Sequence, residues 1–391
     1  MTGPAPHATT KRPRVMQVIT HLDMGGAEGI AINLIERLHG EIDFTLFAVL
    51  RHREMSAVGR EMADRLATWK VPVEFGVGGR FKSGGVVLAA LAIARAVRRH
   101  RIDLVHLHTE IPELTYAVAC ALSPRLRRVP LLRTVHNVEL WIDWDGIGRW
   151  VTGRLAHGTA VAVSNVAADA DAAILTRMAR PRAETIYNGA TPPPPAGPRA
   201  PDAPVRVLFA GRLVHQKAAD LLPAILKAAH RPGSRRDVEV TIAGSGAMES
   251  AVAASIADGL DGWSIQMVPP IECLSARLGE YDCVLVPSRF EGFGLLALET
   301  LMAGVPLVTT DAPGLNEVVP ADYPLRAAVE DVDAIGAHLA AVIADPAAWR
   351  PVAARFGATL ARKFDPAAMA EAYRTRYRAL AAGGSANRGI A

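Results

Sequence analysis

Two doubly wound α/β domains, each built on a mostly parallel sheet and sharing a cleft, are what this sequence predicts. Three observations carry that expectation. From Val15 onward short apolar runs alternate with segments of helical periodicity, the pattern of parallel strands covered by helices on both faces. A proline-rich break, TPPPPAGPRAPDAP, fills residues 191–204, and the alternation restarts after it. The length of 391 residues, half of them apolar, suits two domains with ample core.

In chain order, the first domain is expected over residues 1–190. The leader MTGPAPHATTKRPR has no apolar core and reads as a frayed basic segment, with no signal peptide evident. VMQVIT (15–20) is a short apolar strand. Gly25 and Gly26 make the next turn, and residues 27–38 follow with helical periodicity. Strands are expected at 43–50 and 71–77 with a polar helix between them, at 103–110 and 131–137, both with histidines near their ends, and at 158–164 and 184–189. Residues 80–101, RFKSGGVVLAALAIARAVRRHR, read as a helix with an apolar body and a basic end. One reading makes it a core helix with a solvated terminus; the other makes it an interfacial segment against anionic lipid, seconded by Arg125, Arg127 and Arg128.

Residues 191–204 cannot form helix or interior strand and are expected as an extended, semi-rigid linker. The second domain, 205–365, opens with strand 205–212. Helix 218–229, strand 239–244, helix 247–258 and strand 263–268 come next. Then a buried strand at 284–287, a glycine-bearing loop at 288–294, a helix at 295–303 and a strand at 306–310 follow in close order. Residues 366–391 give a last helix, at 366–381, and a tail.

Charge is uneven. Residues 1–190 hold 24 Lys and Arg against 18 Asp and Glu, and the remainder 19 against 21. The basic first half is expected to meet an anionic partner, a membrane surface or a phosphate-bearing acceptor. The three cysteines, Cys120, Cys273 and Cys283, show no metal spacing, and an odd count without CxxC suits a reducing, cytoplasmic compartment. The longest apolar run, 86–94, is too short to span a bilayer.

Chemistry concentrates in two loops of the second domain. In FEGFGLLALE, Glu291 lies in the loop after a strand and Glu299 within the helix that follows. Open α/β sheets bind ligands at such a strand end. Gly292 and Gly294 let backbone approach a ligand, and the helix start at Leu295 offers unpaired N–H groups to an anion. In GRLVHQKAADLL, Arg212 and Lys217 stand five apart on another strand-to-helix turn. Two fixed cations beside a helix N-terminus stabilise negative charge developing on a leaving group.

The pair of glutamates eight apart resembles the signature of retaining glycosyltransferases of family 4, and the Arg212–Lys217 turn and the Gly25–Gly26 loop resemble that family's other two motifs, in the right order. The resemblance covers residues 15 to about 381. It implies the GT-B fold, two Rossmann-like doubly wound parallel-sheet domains facing across a cleft, with the last helix crossing back onto the first domain. It implies hexosyl transfer from a nucleoside diphosphate sugar to an acceptor hydroxyl, with retention and with neither metal nor cofactor. Arg212, Lys217, Gly294 and Leu295 would hold the donor diphosphate and Glu299 its ribose. Glu291 and His136 would face the reacting sugar, and Gly25 and Gly26 would lie by donor or acceptor. Ala218 departs from the family, which usually has glycine there. The acceptor would be a lipid-linked or polysaccharide intermediate, made at the inner face of a membrane. A nucleotide-sugar 2-epimerase on the same fold and a non-catalytic sugar-nucleotide-binding module remain as alternatives.

Other candidates are weaker. His106 and His108 alternate on a strand and are expected to divide, one toward a core face and the other elsewhere. Gly244-Ser-Gly246 lacks the third glycine of a dinucleotide fingerprint; by the resemblance it would line the nucleotide base. The acid pairs Asp143/Asp145, Asp169/Asp171 and Asp331/Asp333 look like metal ligands, but none follows a buried strand closely. Two glutamates alone could mark a glycosidase, a chemistry with no use for a cationic clamp.

Overall fold

Parallel strands buried on both faces must be largely apolar along their length, and the central strands of both sheets are, whereas the short edge strands Glu184–Thr185 and Arg326–Ala327 and the edge strand Trp263–Val268 are only partly buried. A computed structural model describes residues 12–388 except 24, 53, 80, 142–143, 176–180, 196, 198–199, 201–202 and 232–236. Most of the basic leader, Asp143 and parts of the proline-rich linker lie outside the described residues.

The first sheet contains β1 (Arg14–His21), β2 (Asp43–Leu50), β3 (Val73–Val77), β4 (Leu104–His108), β5 (Leu131–Val135), β6 (Thr159–Ala162) and β7 (Glu184–Thr185). The second contains β8 (Val205–Ala210), β9 (Val238–Ala243), β10 (Trp263–Val268), β11 (Cys283–Val286), β12 (Leu307–Thr310) and β13 (Arg326–Ala327). Their orders are β3-β2-β1-β4-β5-β6-β7 and β10-β9-β8-β11-β12-β13, with every pairing parallel. Strand order reverses between β1 and β4 and between β8 and β11. Those switch points open crevices at the carboxyl ends of the strands.

Helices cover both faces of the first sheet. Gly26–Leu38 and Ala57–Thr68 lie on one side, with the final helix, Pro366–Arg388, packed beside the first of them. Met369, Ala370, Tyr373 and Tyr377 of that final helix join the first domain's core. Val86–Arg99, Glu110–Leu122 and Asp145–Arg154 cover the other side. Most expected elements stand within a few residues of their sequence bounds. The helix expected from 218 is an exception: it begins at Leu222, after two short 3-10 turns. Ala218 causes the delay, because it takes a left-handed conformation, φ +55, that no helix can include.

Glu317 and Ser164 make two of the polar contacts that fix the domains against one another. Glu317 of the second domain accepts hydrogen bonds from the peptide N–H groups of Asn165 and Val166, both at 2.9 Å. It thereby caps the helix Asn165–Leu175 of the first domain with a carboxylate, which also suits that helix's dipole. Ser164 Oγ donates to the Gly292 carbonyl at 2.6 Å.

Candidate active site

The wall built by the second domain comes from two loops at adjacent strand ends. After β8 the chain passes through Arg212 into the turn His215–Lys217; after β11 it runs through Glu291 to Gly294 and the helix Leu295–Met302. Gly294 sits at φ +94, a conformation that favours glycine, and a Cβ there would press the end of the Leu315 side chain. Lys217 Nζ donates to Glu291 Oε1 at 2.6 Å, and Ser288 Oγ donates to the same oxygen at 2.7 Å. The Glu291 peptide N–H donates to the Pro313 carbonyl at 2.8 Å. Arg212 is exposed to the cleft, and its Nη2 donates to Gln216 Oε1 at 2.7 Å. Gln216 in turn donates to the Phe290 carbonyl at 3.3 Å. Arg289 braces both loops: it holds Asp220 through two contacts of 2.7 and 2.8 Å, and its peptide N–H donates to the Gln216 carbonyl at 2.9 Å.

Glu299 lies one helical turn inside that helix and lines the cleft floor. Part of its side chain stays open, yet enough protein surrounds the carboxyl to push it up to about 7 by desolvation, against a hydrogen bond from Ser275.

The wall built by the first domain contains the Gly25–Gly26 turn, Glu28, Glu110, His136, Asn137 and Asn188. Gly25 lies against the Glu28 carboxylate, and a Cβ there would have to displace that side chain. Burial pushes the Glu28 carboxyl up, while His21 and Arg212 pull it the other way. Asn137 Nδ2 donates to both oxygens of Glu110, at 3.0 and 3.1 Å. His136 follows β5, and desolvation pushes it down to about 3, so the ring is neutral.

His136 does not stand alone. Its Nε2 lies 2.9 Å from His108 Nδ1, and His108 Nε2 lies 2.7 Å from Gln17 Oε1. Gln17 Nε2 donates to Tyr377 Oη at 2.8 Å; that hydroxyl lies 2.8 Å from His106 Nδ1, and His106 Nε2 lies 2.7 Å from Thr134 Oγ1. The expectation that His106 and His108 divide between faces is therefore wrong. Residues two apart on a strand share a face, and both rings are buried with centroids 4.1 Å apart.

The two walls meet closely. Gly26 comes within reach of Leu295, its ideal Cβ position 3.8 Å from Leu295 Cδ1, and a Cβ on Gly292 would run into the His136 carbonyl. Between them lies a cleft of about 600 Å³ lined by all nine residues singled out from the sequence: Gly25, Gly26, His136, Arg212, Lys217, Glu291, Gly294, Leu295 and Glu299. Gly244 and Gly246 are not among the lining residues; they make room for the Gly211 and Leu213 carbonyls, and so support the Arg212 loop from behind. Of the acid pairs, Asp171 joins Glu113 on the buried Arg133 and Asp331 caps the helix Val332–Ala344. Sequence reasoning missed Glu28, Ser288, Gln216 and Arg289. The first followed a recognised glycine turn and was within reach; the others act through contacts that no local pattern announces.

Comparison with known proteins adds to this geometry. The family profile described as Glycosyltransferase Family 4 matches residues 24–193, and the one described as Glycosyl transferases group 1 matches residues 204–345. Glycogen synthase of Mycobacterium tuberculosis is 30% identical over 274 residues, 64% of this chain. The chain spans 62% of the length of that relative. D-inositol 3-phosphate glycosyltransferase of Arthrobacter sp. is 32% identical over 259 residues, 56% of each chain. Among solved structures, Anabaena HepE in complex with UDP and glucose superposes with a TM-score of 0.73 at 17% identity, over 94% of this chain and all of that one. Sucrose-phosphate synthase from Thermosynechococcus elongatus gives 0.72 at 18%, over 95% of this chain and all of that one. The fold they share with this chain is GT-B.

Proposed function

The chain belongs to the family 4 glycosyltransferases, and on that premise we propose that it transfers a hexosyl group, with retention, from a UDP- or GDP-sugar to an acceptor hydroxyl. One observation carries the reading: Arg212, Lys217, Glu291, the helix start after Gly294 and Glu299 all line one wall of one cleft. The diphosphate lies against Arg212, Lys217 and the N–H groups of the helix that begins at Leu295. Glu299 takes the ribose hydroxyls. As the bond from the anomeric carbon to the phosphate oxygen breaks, the acceptor oxygen bonds on the same face. Its proton passes to the departing phosphate oxygen. The two cations meet negative charge that is largest in the transition state, while Glu291 and His136 orient the sugar, whose ring becomes positive. Neutralisation of the leaving group rests on these side chains and calls for no metal.

The opposite wall supports an acceptor rich in hydroxyls. Glu28, Glu110, Asn137 and Asn188 offer carboxylates and amides that accept from and donate to such groups. A lipid-linked or polysaccharide intermediate, glycosylated in the cytoplasm, fits that wall. UDP-glucose is the first donor to try, since Anabaena HepE is held with UDP and glucose.

Steady-state transfer by Arg212→Ala and by Arg212→Ala combined with Lys217→Ala tests the reading. Loss of fixed charge at the leaving group lowers kcat by roughly 10²–10³-fold in the double variant. Melting temperature serves as the folding control, because Lys217 also pairs with Glu291. A folded double variant that turns over like the parent would remove the clamp and, with it, the proposal.

A further inference from the structure

Six large apolar side chains stand exposed among the described residues: Val87, Leu88, Leu91, Leu122, Ile147 and Trp150, each between 38% and 61%. Scattered exposed apolar residues are ordinary, but these are not scattered. All six lie on Val86–Arg99, Glu110–Leu122 and Asp145–Arg154, the three neighbouring helices that cover one face of the first sheet. None of them lines the cleft.

The same layer is basic. Residues 75–102 and 114–138 contain no Asp or Glu. On the helix Val86–Arg99, Val87, Leu91, Arg95 and Arg98 recur at intervals of four, four and three, so one exposed face passes from apolar to cationic along its length. Leu122 is followed by the exposed Arg125, Arg127 and Arg128 on the turn Pro124–Arg128. Arg154 lies over the Trp150 ring, 5.5 Å from its centroid. Each of these helices follows a strand of the parallel sheet, so the apolar first turns of the first and third lie toward the sheet's carboxyl end and Arg95, Arg98, Arg125, Arg127, Arg128 and Arg154 toward the other end.

We propose that this helix layer docks the first domain on an anionic lipid bilayer, its apolar side chains entering the headgroup region and its arginines meeting lipid phosphates. Charge favours this occupant over a second copy of the chain, because a self-paired interface would bring together two faces of net positive charge. Among the described residues no helix is long and apolar enough to cross a membrane, so the contact lies on the surface. The inference does not depend on sugar transfer, although docking at the sheet's carboxyl end would bring the active site to a lipid-borne acceptor.

The test is sedimentation of the full chain with phosphatidylcholine vesicles, with and without phosphatidylglycerol, at low and physiological salt. Binding is expected only to the phosphatidylglycerol vesicles, weaker as salt rises. Leu88→Glu with Trp150→Glu should reduce it about tenfold or more even at low salt. Arg95→Glu with Arg98→Glu should reduce it by at least a similar factor, about a factor of five per charge, and flatten its salt dependence. Melting temperatures should not move, since these side chains are exposed. Equal partitioning onto neutral and anionic vesicles would overturn the proposal, as would double variants that bind like the parent. A dimer that Leu88→Glu dissolves would assign the face to a second copy instead. None of the four substituted residues touches the cleft, so failure here leaves the donor site as it stands.

Discussion

At the scale of single residues, Glu299 gives the site a pH dependence whose sign follows from burial. The carboxyl holds its proton to about pH 7 because the surroundings disfavour its charge. Its ordinary value is 4.5, so the free fold loses stability as pH rises through this window, the reverse of a salt-bridged carboxylate. Donor binding runs the other way. In the proposed binding mode ribose hydroxyls donate best to the ionised form, and binding would have to displace the proton below pH 7. The dissociation constant of a sugar nucleotide should therefore rise about tenfold between pH 8 and pH 6. Calorimetric titrations of Glu299→Gln should show weaker but flat affinity over that range. A sloping profile in the variant would place the titrating group elsewhere. That this residue, Glu291, Arg212 and Lys217 would meet at one cleft was legible in the sequence, because each stands at a fixed distance from a glycine at a strand end. Ser288, Gln216 and Arg289 were not, since their partners Glu291, Phe290, Asp220 and Glu330 are recognisable only once the loops lie side by side.

At the scale of elements, the site depends on how closely two loops approach. Gly292 lies against the His136 carbonyl, with no space for one more carbon. Nothing in its backbone conformation demands glycine, so Gly292→Ala tests the approach and not the flexibility. Overpacking of this kind costs about 1–3 kcal/mol. Here the strain falls on the peptide next to Glu291, and a displacement near 1 Å at reacting groups lowers turnover by up to about 10²-fold. The expected outcome is a lowered melting temperature together with a kcat loss that exceeds any change in donor affinity. Retained kcat would mean that the two loops separate without consequence. Ala218 teaches the converse. The sequence signals its departure from the family's glycine but not the result, a left-handed alanine that costs about 1–2 kcal/mol and moves the following helix start to Leu222. Helical periodicity reports which face is apolar; it does not report where a backbone must first turn the wrong way.

At the scale of the whole molecule, the alternation of strands and helices and the proline break were enough to read two parallel sheets, because a buried parallel strand has little freedom in composition. What links the domains was not legible, since Glu317 capping Asn165–Leu175 joins residues about 150 apart. The final helix makes the longest connection. Tyr377 bridges Gln17 and His106, and the Gln17 amide that donates to Tyr377 must present its oxygen to His108. His108 then carries its proton on Nε2 and takes the proton of His136 Nε2 on Nδ1, which leaves His136 Nδ1 as an acceptor toward the cleft. Tyr377→Phe removes the anchor of this chain 241 residues after the ring it controls. Gln17 and His106 lose a buried partner, at a cost of about 1–3 kcal/mol, and the Gln17 amide becomes free to turn over. Nitrogen-15 spectra of the His136 ring should pass from one tautomer in the parent to a mixture in the variant. If His136 meets the sugar as proposed, that hydrogen bond would be made only part of the time, and kcat should fall by up to roughly tenfold. A merely structural role would lower the melting temperature and leave the ring in a single tautomer, and that result would cut the last helix out of the chemistry.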